Sequence, residues 1–166
     1  MLNGIVFLVF TTMFSQCLAQ SLNEPPLTFN GLGKISIGMS IESIENLGYR
    51  LSELPVGSDE CVEVTLNGDD SIWIMLEDRQ VTRVSTRNPS IKTKQGIKVG
   101  TTEKQVKRVY GANLLIESHQ HDEQGHYLIT KSKNGKFAIV FETDGIHVTD
   151  IHAGLKNSAQ YVEGCL

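Results

Sequence analysis

Two stretches of this chain repeat one pattern of glycine, hydroxyl and apolar residues, and this repeat constrains the fold more than any other feature. The first is GKISIGMSIESIENLG at residues 33–48, and the second is GIKVGTTEKQVKRVYG at residues 96–111. Aligned without gaps, Gly38 matches Gly100 at an offset of 62 positions (100 − 38). An internal repeat at a fixed offset indicates two copies of one structural unit, so two similar halves are expected.

Each repeated stretch carries the start and stop signals of a short helix. Ser40 and Thr102 lie where a helix N-cap belongs, and Gln105, three residues after Thr102, completes a capping box. The apolar residues that follow recur every three or four positions, which predicts one apolar face on each helix. Gly48 and Gly111 are placed to end the helices in a left-handed conformation.

Alternation of apolar and polar residues predicts strands on both sides of each helix. A short strand is expected before each helix, at 34–38 and at 96–100. The strands predicted after the helices are separated by turn residues and lie at 61–66, 71–78, 80–87, 113–119, 126–133, 137–142 and 146–153. These sets favour antiparallel meanders with one face covered by a helix.

The predicted fold is therefore α+β, with two tandem units that each pack a short helix on an antiparallel β-sheet meander. We place the first helix/sheet repeat at residues 20–91 and the second at residues 92–166. A half of this length buries little core by itself. The halves should therefore pack together or share one continuous sheet.

The first nineteen residues, MLNGIVFLVFTTMFSQCLA, differ from the rest of the chain because they contain no charged side chain. Their apolar part is too short to span a bilayer. The pattern is typical of a secretory signal peptide, residues 1–19, cut after Ala19, and predicts a periplasmic or secreted protein without a membrane span in its mature form. An uncleaved anchor and a lipid on Cys17 are the alternatives, and the Gln before Cys17 disfavours lipid attachment.

Cleavage after Ala19 would leave two cysteines, Cys61 and Cys165. An even number of cysteines in an exported chain favours a disulfide, and two cysteines allow one intramolecular pairing. The closed loop is long, and the chain-entropy model gives it roughly 4–5 kcal/mol as an upper value. Two reduced cysteines are the alternative.

The paired stretches ISIGMSIESIENLG and IKVGTTEKQVKRVYG resemble the signature of the BamE (SmpA/OmlA) superfamily. They are also similar to the β-lactamase inhibitory protein family, whose members are tandems of such units. This resemblance implies a helix packed on a small antiparallel sheet, export to the cell envelope or beyond, and function through protein–protein contact. A cysteine pair that joins the two halves differs from the inhibitor pattern of one disulfide inside each half.

Charge and composition narrow the class of partner. A formal net charge of −4 gives no basic surface for nucleic acid, so we expect another protein, in the envelope or outside the cell, as partner. Aromatic residues dominate protein interfaces, and Tyr127 and Tyr161 are the predicted interface residues. Trp73 lies between two isoleucines, which predicts burial.

The segment HQHDEQGH offers the one candidate for metal chemistry, with His119, His121 and His126 across a predicted hairpin. A solvated polar turn explains the segment better, so a metal-binding envelope protein is the alternative function. His147 and His152 have no partner that the sequence identifies. We find no catalytic constellation and no cofactor motif, and we predict a non-enzymatic, exported protein-binding module, an envelope accessory factor or inhibitor-like protein.

Overall fold

The structure is a computed structural model that describes residues 26–54 and 60–165. The predicted signal peptide and Cys17 lie outside these residues. The described residues form three α-helices, α1 (Ile41–Asn46), α2 (Glu103–Tyr110) and α3 (Lys156–Ala159), and a 3-10 turn at Gly111–Asn113. Three two-residue strands form a small sheet: β1 (Leu27–Thr28), β2 (Gly31–Leu32) and β3 (Ile35–Ser36). The remaining strands are β4 (Cys61–Leu66), β5 (Asp69–Glu77), β6 (Gln80–Thr86), β7 (Leu114–Ser118), β8 (His126–Lys131), β9 (Phe137–Thr143) and β10 (Val148–Leu155).

The seven longer strands form one antiparallel sheet in the order β4-β5-β6-β10-β9-β8-β7. The central pair is β6 and β10, so the strands before α2 and those after it share a continuous sheet. The α+β class with short helices and antiparallel strands is confirmed. Each of the seven strands begins and ends within two residues of a predicted strand.

The two main helices begin as predicted. In α1 the Ser40 hydroxyl accepts the backbone N–H of Ser43 at 3.2 Å. In α2 the capping box is complete, because the Thr102 hydroxyl accepts the backbone N–H of Gln105 while the Gln105 side chain accepts the backbone N–H of Thr102. Local hydroxyl and amide groups therefore satisfy N–H groups that the first helical turn leaves without partners.

Removing the α2 cap should lower stability measurably. Thr102→Ala should reduce the free energy of unfolding by about 1 kcal/mol, because the helix loses its side-chain acceptor. Thr102→Ser is the matched control and should retain most of the stability, since it keeps the hydroxyl. Urea unfolding compares the three proteins, and equal midpoints for Thr102→Ala and wild type would contradict the prediction.

The turn before each helix is connected to the sheet by the same hydrogen bonds. Gly38 N–H donates to the Val81 carbonyl at 2.8 Å, and Val81 N–H donates to the carbonyl of the residue after that glycine. Gly100 and Val148 make the same pair of bonds, also beginning at 2.8 Å. Val81 and Val148 lie at the starts of β6 and β10, the two strands that meet at the centre of the sheet.

The prediction of a strand at 96–100 is wrong. Ile97 accepts the backbone N–H of Thr93 at 2.8 Å, and its own N–H donates to the Thr93 hydroxyl at 3.1 Å. Both backbone polar groups of Ile97 are satisfied within this local turn, so they do not join a strand ladder. The corresponding strand before α1 is short, with only Ile35 and Ser36 paired.

The main core lies between one face of the large sheet and the two longer helices. Ile44 of α1 and Val106 of α2 belong to the same buried cluster as Ile74, Phe141 and Ile151 of the sheet. The opposite face carries a smaller buried cluster, which comprises Tyr127, Ile129, Ala138, Val140 and Ala159. Ala159 belongs to α3, so the C-terminal segment covers part of this second face.

We refer to residues 156–165 as the C-terminal strap. The Arg83 guanidinium, on β6, donates to the carbonyls of Ser158 at 3.1 Å and Tyr161 at 2.8 Å. The strap ends at a disulfide between Cys61 and Cys165, whose Cα atoms are 5.4 Å apart. The predicted disulfide is confirmed, and it ties the strap to the edge strand β4.

Candidate functional site

A groove of about 370 Å³ lies beside the C-terminal strap, on the face of the sheet opposite α1 and α2. Side chains from four adjacent strands and the residue that follows β6 form its floor. The floor residues that carry the chemistry are Trp73, Ser85, Arg87, Glu142, Asp150 and His152. Five of the six are polar or charged, so this groove differs sharply from the apolar core on the other face.

Strand register brings these residues together from distant parts of the sequence. On the central pair, Ser85 lies directly opposite His152, and Trp73 of the neighbouring strand lies opposite Ser85. On the other side of β10, Asp150 lies opposite Glu142. Side chains directly opposite on one face are close neighbours, so the register alone places them in contact.

A chain of hydrogen bonds runs across the groove floor. Ser85 Oγ is 2.9 Å from His152 Nδ1, and His152 Nε2 is 3.3 Å from Glu142 Oε2. The second Glu142 oxygen, Oε1, is 2.7 Å from His119 Nε2. Glu142 is therefore held between two imidazoles.

The tautomer of His119 follows from its surroundings. Its Nδ1 accepts the backbone N–H groups of His121 and Asp122, each at 3.0 Å. A nitrogen that accepts these bonds carries no proton, so Nε2 must carry the proton and donate it to Glu142. The loop after β7 thus fixes the orientation of a carboxylate on β9.

The two carboxyl groups of the groove have opposite pKa shifts. The hydrogen bond from His152, with that from His119, lowers the pKa of Glu142 to about 2 although burial opposes this shift. Burial raises the pKa of Asp150, against the effects of His152 and Arg87. Arg87 Nε donates to Asp150 Oδ2 at 2.8 Å, and this arginine side chain is 66% exposed.

The side chains Ser85, His152 and Glu142 have the composition of a hydrolase triad, but their placement does not suit acyl transfer. Ser85 is only 3% exposed and lies within the central strand β6. Its neighbours on that strand pair with β5 and β10, so backbone N–H groups there belong to the sheet ladders. An oxyanion site needs free N–H donors beside the nucleophile. The arrangement therefore favours binding over nucleophilic catalysis at this serine.

No family model and no curated protein matches this chain. A solved structure is similar in part. The crystal structure of the uncharacterized protein yfeY from Escherichia coli aligns with a TM-score of 0.48 and 16% sequence identity, covering 78% of this chain and 99% of that chain. Within the two described ranges, none of the helices has the length and apolarity that a membrane crossing requires.

The three histidines of the alternative metal site do not converge. His119 pairs with Glu142, His121 Nε2 lies 2.6 Å from Glu163, and His126 Nδ1 lies 2.7 Å from Glu103. Glu103 belongs to α2, so His126 is on the helix side of the sheet, whereas His119 is on the strap side. Each imidazole therefore has its own carboxylate, and the structure does not bring the three together.

A different set does come together: Glu142, Asp150 and His152 each offer one ligand atom, and these atoms all lie within 4.8 Å of one another. The sequence identifies no partner for His152, and neither Glu142 nor Asp150 was predicted as a ligand. Asp150 and His152 alternate on β10, and Glu142 lies on β9 just before the intervening turn. This pattern was the signal in the sequence that could have identified the three residues. A β-bulge between Val148 and Asp150 obscured it by shifting the register.

The aromatic residues considered in the sequence differ in how far they are exposed to solvent. Tyr127 is only 8% exposed and stacks on His119 with ring centroids 4.6 Å apart, so the exposure assumed for it as an interface residue is wrong. Tyr161, on the strap, is 44% exposed, and its role in an interface stays a prediction. Trp73 is half-buried rather than buried, with the Arg87 guanidinium carbon 5.0 Å from its ring centre.

Proposed function

We propose that this chain is an exported, non-enzymatic binding module that contacts another protein through the edge strand β7. The observation that carries the proposal is the exposure of β7. Leu115 and Ile116 are each 45% exposed, although they lie on opposite faces of the sheet. A free edge strand with apolar side chains is a template for pairing with an extended segment of a second protein.

The two edges of the large sheet are treated differently. At the β4 edge, Ser52 N–H donates to the Thr65 carbonyl at 3.1 Å, and Leu51 forms a bridge with Leu66. The chain itself thus pairs with the Thr65 and Leu66 end of that edge. For β7, the described residues supply no strand partner other than β8. This contrast supports β7 as the edge that an outside strand would join.

We also propose that the chain is a tandem of two helix/sheet units, and this arrangement favours β7 as the edge that a partner joins. The matched hydrogen bonds of Gly38 with Val81 and of Gly100 with Val148 support that duplication. In this scheme β4–β6 correspond to β8–β10, and the described counterpart of β7 is only the short pairing of Leu51 and Ser52 with the end of β4. The five-residue strand β7 is a much longer edge, with more backbone for an outside strand to pair with.

The side chains near β7 suggest what a partner segment would carry. Glu117 of β7 and Tyr161 of the strap line one small cavity on the strap side of the sheet. An incoming strand with apolar residues at two adjacent positions would contact Leu115 on one face of the sheet and Ile116 on the other, and a basic residue would suit Glu117. The resemblance to the BamE and β-lactamase inhibitory protein families also favours function by protein contact.

Affinity capture with matched variants tests the proposal. The chain beginning at Gln20 should capture a protein from envelope extract, and Ile116→Lys should lose it because a charge on β7 opposes strand addition. Val109→Lys is the control, since Val109 is also 45% exposed but lies on α2.

The captured complex should also show slowed hydrogen exchange at the backbone amides of β7. Far-UV circular dichroism confirms that both variants fold. Capture of nothing by the wild type, equal capture by Ile116→Lys, or unchanged exchange in β7 would each contradict the proposal.

A further inference from the structure

We propose that the groove beside the C-terminal strap holds a divalent transition-metal site, with Glu142, Asp150 and His152 as ligands and Zn²⁺ as the ion that best suits them. All three residues line the groove, and one ligand atom from each lies within 4.8 Å of the others. They come from the adjacent strands β9 and β10. The framework is therefore a rigid sheet rather than a loop.

One distance separates this set from the other histidine pairs of the described chain. His119, His121 and His126 each lie 2.6–2.7 Å from a carboxylate oxygen, which is the length of a direct hydrogen bond. The hydrogen bond between His152 Nε2 and Glu142 Oε2 is longer, at 3.3 Å. Two ligands about 2.0–2.1 Å from a tetrahedral ion are about 3.3–3.4 Å apart, so this pair already has the spacing of two zinc ligands.

Each proposed ligand has a second partner that fixes its orientation. His152 Nδ1 is 2.9 Å from Ser85 Oγ, so an ion on Nε2 would place the imidazole proton on Nδ1, donated to Ser85, and replace the hydrogen bond to Glu142. The proton on His119 Nε2 holds Glu142 Oε1 at 2.7 Å, which leaves Oε2. Metal-binding histidines and carboxylates in proteins are typically held in this way by an outer layer of hydrogen bonds.

Asp150 is oriented as well, because its Oδ1 accepts the backbone N–H of Ile151 at 2.8 Å and its Oδ2 accepts Arg87 Nε at 2.8 Å. Each oxygen retains a further lone pair for an ion. Asp150 and Glu142 lie directly opposite each other on adjacent strands, an arrangement that is unfavourable for two like charges. A dication between them removes this repulsion.

The donor types select the class of ion. One imidazole nitrogen and two carboxylate oxygens suit Zn²⁺ and its neighbours in the first transition row, whereas Ca²⁺ and Mg²⁺ favour oxygen donors throughout. Three protein ligands leave a fourth position, and all three proposed ligands line the groove, from which an external ligand would approach. Zinc sites with three protein ligands and an open position can bind water or an external ligand.

Calorimetric titration of the metal-stripped chain beginning at Gln20 with Zn²⁺ tests the inference. One equivalent should bind, and Ca²⁺ should bind far more weakly. His152→Ala and Glu142→Gln should each weaken Zn²⁺ binding by more than about 100-fold, since loss of an outer-layer partner alone costs about 10–100-fold. Ser85→Ala, which removes such a partner, should fall within that smaller range.

The matched control is His121→Ala, because His121 belongs to the hairpin and its side chain is 61% exposed. It should bind Zn²⁺ as the wild type does. Circular dichroism shows which variants fold, and Glu142→Gln serves if His152→Ala does not. Absence of stoichiometric binding, wild-type affinity in folded Glu142→Gln, or loss of binding in His121→Ala would each overturn the inference. None of these outcomes depends on β7 or on a protein partner.

Discussion

Replacing Arg83 with methionine should lower the free energy of unfolding by about 3 kcal/mol. The Arg83 side chain is 4% exposed, and its guanidinium forms an ion pair with Glu63 as well as two hydrogen bonds to strap carbonyls. Removing one partner of a buried ion pair costs about 3–5 kcal/mol. We expect the lower end of this range because Glu63 is 32% exposed and water can reach it after the substitution.

Methionine is the chosen replacement because it keeps much of the apolar stem volume, so the loss reports the charged group rather than a cavity. Arg108→Met is the control, since Arg108 is an exposed residue of α2, and such surface changes are usually within about 0.5 kcal/mol. Urea unfolding measures both variants. A loss below about 1 kcal/mol in Arg83→Met would show that the strap does not depend on this arginine.

Local signals explain why most of the fold was predictable. The caps at Ser40 and Thr102, the glycines after the helices and the alternation within each strand depend on residues a few positions apart. Because these signals do not depend on contacts with distant parts of the chain, a single sequence is enough to identify them. Prediction failed for α3, Lys156–Ala159, which has four residues and no side-chain cap.

The strap explains why the exposure of Tyr127 was misjudged. Alternation along β8 correctly puts Tyr127 and Leu128 on opposite faces, and a sheet with one covered face would leave Tyr127 exposed. Here the second face is also covered, because Arg83 and the disulfide hold the strap against it. Coverage by a distant segment is a tertiary property that strand periodicity does not encode.

The groove residues were missed for a related reason. Asp150 and His152 alternate on β10, but their contact with Glu142 depends on the bulge between Val148 and Asp150. Ser85 lies 67 positions from His152 and meets it only because β6 and β10 are central neighbours. The hairpin was considered as a metal site because its histidines are close together in sequence. The residues of the groove are distant in sequence and meet only across paired strands.

Breaking the disulfide should lower the free energy of unfolding by roughly 3–5 kcal/mol, the largest single effect that we expect. Cys61 and Cys165 are 104 positions apart, and the chain-entropy model gives about 4.7 kcal/mol for a loop of about 100 residues. The bond acts mainly by restricting the unfolded chain. The folded protein should therefore change little when it is lost, because Arg83 still holds the strap.

Intact mass first establishes the bond, since reduction should add two hydrogens to the oxidised protein. Urea unfolding then compares oxidised wild type, reduced wild type and the double variant Cys61→Ser/Cys165→Ser. The last two should agree in stability and should keep the near-ultraviolet circular dichroism of the native protein. Two free thiols in the native chain would refute the bond itself. A stability loss below about 1 kcal/mol would instead mean that the unfolded chain is already compact enough for the cross-link to restrict it little.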